Sequence, residues 1–319
     1  MKENKGCLRQ SVEKKDEEQF CGFIGLIGRP NVGKSTLLNK LVGQKVSITT
    51  HKAQTTRNRI IGIRTENDTQ IIFIDTPGIH VTENLLNRKI VEYAKNTLLD
   101  TDINLWILQP YPHTSQDRNC FSVLHPEDQH ILQMLSDKKK RTVVVLNKID
   151  ILSKADLLKS IANLDKLGLF VEIVPVSALK STNLDQLILS LKKYLSPHPF
   201  YFGQYQVTDV SERFLASEFV REEIYLRLRQ EIPYSVAVIV EQFEEDSKCI
   251  KIACIIFVER NSQKGIMIGK KGEMLKKIGT GARKKIQSLL GNKVFLKLHV
   301  KVLKQWTDNE IHLKSLGFQ

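Results

Sequence analysis

The sequence lacks the features that mark membrane-spanning, secreted and disulfide-bonded proteins. No apolar run approaches the roughly 18 residues that a membrane span needs, and residues 1–20 contain no apolar stretch long enough for a signal peptide. The five cysteines form no CxxC pair and no zinc spacing with histidine, so they are expected to be free thiols of a reduced protein. There is also no internal repeat and no low-complexity segment. These absences predict a cytoplasmic globular protein.

The sequence also has few acidic residues relative to basic ones. The 319 residues include 48 lysines and arginines but only 35 acidic residues, which gives a formal net charge of +13. Such an excess favours a polyanionic partner, either nucleic acid or an acidic membrane surface. The length favours two domains, and a hydrophobic content of 41% allows each of them its own core.

From Cys21 to about Leu195, short apolar runs alternate with amphipathic stretches. Strands separated by helices in this way predict an α/β domain with a mostly parallel sheet and helices on both faces. The two prolines of Ser196–Phe200 end the last helix and mark a domain boundary. The predicted strands are 23–27, 71–74, 103–108, 142–146 and 171–174, with helices over 155–167 and 184–195.

A different order of elements follows this boundary. A helix over 211–229 has apolar residues four apart, and two strands, a glycine-bearing stretch, a second helix and a last strand come after it. The order α-β-β-α-α-β predicts a compact α+β domain. The predicted organisation is a disordered charged tail (1–20), a first domain (21–196), a linker (197–210), a second domain (211–307) and a C-terminal tail (308–319).

The segment after the first strand fits the phosphate-loop pattern GxxxxGK[ST] and precedes a helix, where such a loop has to lie. Its glycines allow backbone N–H groups to wrap a phosphate, and the helix N-terminus adds positive partial charge. The lysine is placed to reach the β- and γ-phosphates and the serine hydroxyl to ligate Mg²⁺. The loop consists of Gly28, Arg29, Pro30, Asn31, Val32, Gly33, Lys34 and Ser35.

Three later segments indicate which nucleotide binds, and each follows a predicted strand. An aspartate after the second strand can hold the water shell of Mg²⁺, and a glycine three residues on can offer its N–H to the γ-phosphate. The carboxylate of an NKxD segment can accept both the N1–H and the exocyclic amine of guanine, a donor pair that adenine lacks. Each short match alone could be a solvated loop, but their order favours GTP. The segments are Asp75-Thr76-Pro77-Gly78, Asn147-Lys148-Ile149-Asp150 and Ser177-Ala178.

With the segment Lys52–Arg57, these motifs resemble the Era family of GTPases. The resemblance implies a P-loop GTPase domain that binds GTP or GDP with Mg²⁺. It also implies a first switch, with either Thr55 or Thr56 closing over the ion beside Ser35 and Asp75. The switch residues are Gln54, Thr55, Thr56 and Arg57.

Two positions leave the hydrolytic mechanism open. Where Ras-like enzymes have a glutamine that orients the attacking water, this chain has Ile79, so the resemblance implies that the switch backbone positions the water. Asn31 resembles an asparagine that helps to coordinate K⁺ in relatives. The alternative is that Asn31 merely tolerates the loop conformation.

The second domain concentrates the positive charge. Residues 264–304 contain twelve lysines and arginines and one acidic residue, Glu273, which favours a phosphate-binding surface over a solvated helix face. A GxxG loop lies within this stretch, between two predicted helices. GxxG alone is common, but in the α-β-β-α-α-β order it resembles a type II KH domain. The predicted RNA-binding residues are Ile266, Ile268, Gly269, Lys270, Lys271, Gly272, Lys276 and Lys277.

Together the two domains extend the resemblance over nearly the whole chain. It implies binding of 16S rRNA near its 3′ end, a role in 30S ribosomal subunit maturation, a monomer, and peripheral association with the inner membrane. The stretch 109–126 departs from the family and is predicted to be a surface insertion.

Three other classes of protein fit the sequence less well. A tandem-domain or tRNA-modifying GTPase is disfavoured by the single GKS and NKxD motifs, and a kinase or ATPase by Asp150. An RNA-binding assembly protein with an inactive GTPase domain is disfavoured by the intact motifs, although only turnover excludes it.

Overall fold

The structure, a computed structural model, describes residues 18–52, 55–78, 100–110, 124–136, 141–228, 232–246 and 249–317. The predicted N-terminal tail lies almost entirely outside the described residues, as do Gln54, Ile79 and most of the predicted insertion.

The first domain is an α/β domain around one sheet. Its strands are β1 (Phe20–Ile27), β2 (Ile60–Glu66), β3 (Thr69–Asp75), β4 (Ile103–Leu108), β5 (Arg141–Leu146), β6 (Glu172–Pro175) and β7 (Ser196–Pro197). The described helices are α1 (Lys34–Val42), α2 (Pro126–Ser136), α3 (Lys154–Asp165) and α4 (Leu184–Lys192).

The sheet has the order β2-β3-β1-β4-β5-β6, with β7 added beside β1. The pairs from β3 to β6 are parallel, which confirms the predicted mostly parallel sheet. β2 and β7 are antiparallel and were not predicted. β2 escapes the strand pattern because Gly62 interrupts its apolar run where the chain passes close to Leu38 and Val42 of α1.

Helices cover both faces of this sheet, as predicted. One core contains Leu37 and Leu41 of α1 with Leu187 and Leu191 of α4. The other contains Trp106 of β4 with side chains of α2 and α3. β4 is buried along its whole length because it lies in the middle of the sheet with helices on both sides.

The second domain has the predicted α-β-β-α-α-β order. Its elements are α5 (Glu212–Arg227), β8 (Ala237–Asp246), β9 (Cys249–Val258), α6 (Asn261–Ile268), α7 (Glu273–Leu290) and β10 (Val294–Val302). The sheet order is β10-β9-β8, with β9 parallel to β10 and antiparallel to β8. β8 runs to Asp246, into the acidic stretch 244–248 whose composition is typical of a turn.

The segment predicted as a C-terminal tail is folded in part. Residues Glu310–Ser315 form helix α8, whose Leu313 is fully buried with Trp306 and Ala237. The polar composition of this segment conceals the helix, because a single buried leucine anchors it. No helix among the described residues is long and apolar enough to cross a membrane.

Helices α5 and α7 approach each other at Gly281. A Cβ built at Gly281 would lie 2.0 Å from Oε2 of Glu223 on α5. That carboxylate is almost fully buried and paired with Arg227 and Lys285, so it has little freedom to move away.

We therefore expect Gly281→Ala to destabilise the protein by about 1–3 kcal/mol, because overpacking outweighs the helix propensity gained. Gly265→Ala on α6 is the matched control, since no atom lies within 4 Å of its added Cβ; it should stabilise by up to about 1 kcal/mol. Free energies of unfolding from urea titrations compare the two. A Gly281→Ala protein as stable as the wild type would contradict this packing.

Candidate nucleotide site and nucleic-acid surface

The predicted phosphate loop connects the end of β1 to the start of α1. Gly33 has φ of 103°, a left-handed conformation that favours glycine. A Cβ there would also lie 2.3 Å from Nδ2 of Asn147. Asn31 has φ of 65°, a conformation that asparagine tolerates better than most residues. This conformation supports the alternative that Asn31 occupies this position because it tolerates the loop conformation.

Lys34 is buried inside this loop. Its ammonium group donates to the carbonyl oxygens of Gly28 at 2.9 Å and Arg29 at 3.0 Å. Burial lowers its pKa to about 8, although Asp75 opposes the shift. An anion bound in the loop would therefore favour the charged form of Lys34.

Two of the predicted Mg²⁺ ligands, Ser35 and Thr56, lie beside a third, the carboxylate of Asp75. Ser35 Oγ donates to Oδ2 of Asp75 at 2.7 Å, and Thr56 Oγ1 lies 2.9 Å from Ser35 Oγ. Ser47, which the sequence did not suggest, also donates to this Oδ2 at 3.0 Å. Oδ1 of Asp75 is buried without a hydrogen-bond partner among the described residues, and burial raises the pKa of this carboxyl. Hydroxyl oxygens beside a carboxylate that has one unpaired, buried oxygen suit a hard cation such as Mg²⁺.

The two switch threonines differ in position. Thr56 belongs to the cluster around Asp75. The Thr55 hydroxyl instead contacts Thr50 Oγ1 at 2.6 Å and the carbonyl oxygen of Lys52 at 2.8 Å. The sequence left both open, and the geometry favours Thr56 as a metal ligand.

Asn147 links the three loops of the site. Its buried side chain donates to the carbonyl of Val32 at 2.8 Å and accepts from the amide of Ala178 at 2.9 Å. The backbone N–H of Asn147 donates to Leu108 at the end of β4. One side chain thus fixes the phosphate loop against both segments predicted to contact the base.

The remaining base-loop residues are arranged around Asp150. The Ser177 hydroxyl donates to Oδ1 of Asp150, and this hydrogen bond holds the exposed carboxylate in place. Lys148 donates to the carbonyl of Asn31 at 2.8 Å and to Oε1 of Gln109 at 2.7 Å. Gln109, at the start of the predicted insertion, thereby contacts the site.

A cavity of about 650 Å³ lies between these loops, within the range of small-ligand sites. Lys34, Ser35, Thr56, Lys148 and Asp150 line it. The predicted site residues that are not among the described lining residues are Gly28, Arg29, Val32, Asp75, Thr76, Pro77, Ile149 and Ser177.

Besides Ser47, three described residues that belong to no predicted motif contribute to the site. Asp128 on α2 accepts from Nε of Arg29 at 2.9 Å, and burial raises its pKa to about 6. Asn39 on α1 holds the backbone of Ser47 in place. Leu226, from the second domain, lines the nucleotide cavity.

The first switch docks on the second domain. Ile48 belongs to the hydrophobic core of that domain. The buried Arg57 guanidinium donates to the carbonyls of Val236 and Tyr234, each at 2.7 Å. Arg221 on α5 donates to the carbonyl of Thr55. The switch segment therefore connects the nucleotide cavity to the second domain, a contact that the predicted linker alone does not suggest.

Glu222 on α5 strengthens this contact. Its buried carboxylate accepts from Lys45 at 2.7 Å, from the Thr49 amide at 2.9 Å and from Lys285 at 2.6 Å. Burial alone would raise the pKa of Glu222, but these hydrogen bonds outweigh burial and keep its pKa below the ordinary glutamate value.

The GxxG loop lies between α6 and α7, as predicted. Gly269 and Gly272 both have positive φ, and Lys271 between them is left-handed. Lys270 and Lys271 are exposed, as are Lys276 and Lys277 on the first turns of α7. This places four cations next to a loop where a backbone can approach closely.

The apolar residues beside the loop divide between surface and core. Ile266 is 50% exposed and Ile268 is partly exposed, so both are accessible to a ligand. Ile278, whose apolar side chain could serve either purpose, is fully buried in the core.

The fold and these two surfaces define a P-loop GTPase joined to a KH domain. The family model described as "50S ribosome-binding GTPase" matches residues 23–148, and that described as "KH domain" matches residues 231–307. The chain is 46% identical to GTPase Era of Syntrophus aciditrophicus over 93% of its length and 94% of that protein. It is 44% identical to GTPase Era of Geotalea daltonii over 95% of its length and 99% of that protein. The chain therefore belongs to the Era family of GTPases.

Solved structures agree with this assignment. Era in complex with MgGDPNP and nucleotides 1506–1542 of 16S ribosomal RNA superposes with a TM-score of 0.87 at 38% identity. The same score and identity apply to a single-residue variant of Aquifex aeolicus Era bound to GDP.AlF4-. Each comparison covers 94% of this chain and 99% of the other.

Proposed function

We propose that the chain hydrolyses GTP with Mg²⁺ in the cavity between the phosphate loop and the first switch, and that its KH domain binds 16S rRNA near the 3′ end during 30S maturation. The observation that carries the first part is the convergence of Ser35 and Thr56 on Asp75. These residues would hold Mg²⁺, which supplies charge neutralisation at the phosphates. Lys34 supplies a further positive charge.

Guanine recognition is assigned to Asp150. Its carboxylate lines the cavity and is held by Ser177, and Asn147 fixes the neighbouring Ala178 amide. A carboxylate in this position can accept two N–H groups from guanine, and the Ala178 amide can donate to the guanine O6.

We expect Asp150→Asn to weaken GTP binding roughly a hundredfold or more, since two hydrogen bonds to a charged group are removed. Affinity should shift toward xanthosine triphosphate, whose C2 carbonyl can accept from the new amide. Titration of both nucleotides into Asp150→Asn and into Asp165→Asn, an exposed control on α3, measures the switch. Unchanged GTP affinity would refute the role of Asp150.

The side chain of Ile79 cannot orient the attacking water, so we propose that the switch backbone positions this water. We also propose that K⁺ bound near Asn31 supplies positive charge beside the phosphates. The left-handed conformation of Asn31 supports the purely conformational alternative. The effect of the monovalent cation distinguishes the two.

Hydrolysis should be faster in KCl than in NaCl at equal ionic strength, because the smaller ion would not suit a K⁺ site. Asn31→Ala should remove the difference. Phosphate release at saturating GTP is the measurement, and Asn183→Ala, another left-handed asparagine outside the cavity, controls for backbone strain. Equal wild-type rates in both salts would leave Asn31 with only its conformational role.

The RNA part of the proposal rests on the GxxG loop and its four exposed lysines. The solved structure of Era in complex with nucleotides of 16S ribosomal RNA supports the same RNA ligand for this chain. The family resemblance further supports action as a cytoplasmic monomer with peripheral association with the inner membrane.

Changing Lys270 and Lys271 together to Asp should abolish single-stranded RNA binding, because attraction is replaced by repulsion at the loop. Removing each phosphate contact should also flatten the log–log salt dependence by about 0.7. RNA affinity measured over a range of salt concentrations tests this. The charge-matched control is Lys154→Asp/Lys159→Asp, at two exposed positions of α3.

Basal GTP hydrolysis should survive this double change, because the loop is remote in sequence from Lys34 and belongs to another domain. RNA affinity that persists would exclude the loop as the clamp and favour a lipid-facing surface. Hydrolysis that collapses with RNA binding would show coupling between the domains through the switch contact.

A further inference from the structure

A second cavity, separate from the nucleotide cavity, lies between the first switch and the KH domain. Its volume is about 270 Å³, and it is lined by Arg57 of the switch and by the adjacent Asn58. The start of α5, residues of β8 and the C-terminal Leu316 and Gly317 line the rest. None of the described residues that line it belongs to the phosphate loop or the GxxG loop.

The charges that line this second cavity are unbalanced. Among the described residues that line it are three arginines, Arg57, Arg213 and Arg221, and one acidic residue, Glu218. Arg221 Nε donates to Glu218 at 2.7 Å, so this carboxylate is already used by one arginine. Two positive charges remain without a counter-charge among the described residues that line the cavity.

Two N–H groups here also lack an acceptor. Arg57 and Arg221 are each more than nine-tenths buried. Nε of Arg57 and Nη1 of Arg221 have no hydrogen-bond partner among the described residues. A buried, charged donor that stays unpaired is costly, so these two groups point to an acceptor that none of the described residues supplies.

We propose that this second cavity binds a phosphate-sized oxyanion, either free phosphate or a terminal phosphate monoester. Phosphate matches arginine because its oxygens can accept several charge-assisted hydrogen bonds at once. The N-terminus of α5, which begins after Ser211, adds positive partial charge at the same cavity. A water molecule would satisfy the N–H groups but would leave the excess charge.

The site would join the two halves of the molecule. Arg57 belongs to the first switch, whereas Arg213 and Arg221 belong to the KH domain. An oxyanion that contacts all three would strengthen the docking of the switch on α5 independently of the bound nucleotide and of RNA.

The direct test is calorimetric titration of inorganic phosphate into the full chain saturated with GDPNP and Mg²⁺, so that the γ-phosphate position of the nucleotide site is already filled. We expect saturable binding at one site. Arg213→Gln should weaken it roughly tenfold or more, because a charged hydrogen-bond donor is removed. Arg213 is exposed, and its hydrogen bonds to described residues go to the backbone carbonyls of Val240 and Glu241, so this variant should fold.

Arg283→Gln removes the same charge from an exposed position on α7 and should leave phosphate affinity unchanged. Absence of saturable binding, or equal loss in both arginine variants, would overturn the proposal. Glycerol 3-phosphate identifies the source: binding as tight as inorganic phosphate indicates a phosphorylated molecule, and much weaker binding indicates the free ion.

A second variant tests the need for an anion without any ligand. Ser217 lines the cavity, so Ser217→Asp places a carboxylate among the arginines. It should raise the Tm in phosphate-free buffer and abolish phosphate binding, whereas the uncharged Ser217→Asn should do neither. A Tm that falls in Ser217→Asp but not in Ser217→Asn would overturn the proposal.

Discussion

One buried carboxylate joins the parts of this molecule that have to act together. Glu222, on the first helix of the KH domain, accepts hydrogen bonds from Lys45 and the Thr49 amide of the GTPase domain and from Lys285 of the helix after the GxxG loop. Its lowered pKa keeps it charged, which keeps both lysines paired. Removing one partner of such a buried network leaves the others desolvated and uncompensated. The geometry of the switch therefore depends on the KH domain as well as on the nucleotide loops.

The nucleotide site itself follows from the parallel sheet. In parallel β1, β4 and β5 the carboxyl ends lie at one edge, so the phosphate loop, Gln109 and the NKxD segment come together there. β3 brings Asp75 to the same edge. Asn147 then fixes these loops to one another, because its amide can donate on one side and accept on the other.

The positive charge of the second domain serves two purposes. Lys270, Lys271, Lys276 and Lys277 are exposed around the GxxG loop and are available to a polyanion. Lys285, in the same basic stretch, is instead paired with Glu222 and Glu223 at the contact between domains. A count of lysines along the sequence cannot separate these roles, because the acidic partners come from a distant helix, with Glu222 lying 63 residues before Lys285 in the chain.

The motifs, their chemistry and the order of most elements could be predicted from local sequence patterns, since the strands and helices place a phosphate loop, an NKxD segment and a GxxG loop predictably. The sequence left open what local patterns cannot decide. Only the tertiary structure separated Thr56 from Thr55 and placed Ile278 in the core, because both depend on which distant residue lies opposite. The docking of Arg57 on the KH domain and the folding of Glu310–Ser315 were likewise decided by contacts between segments far apart in the chain.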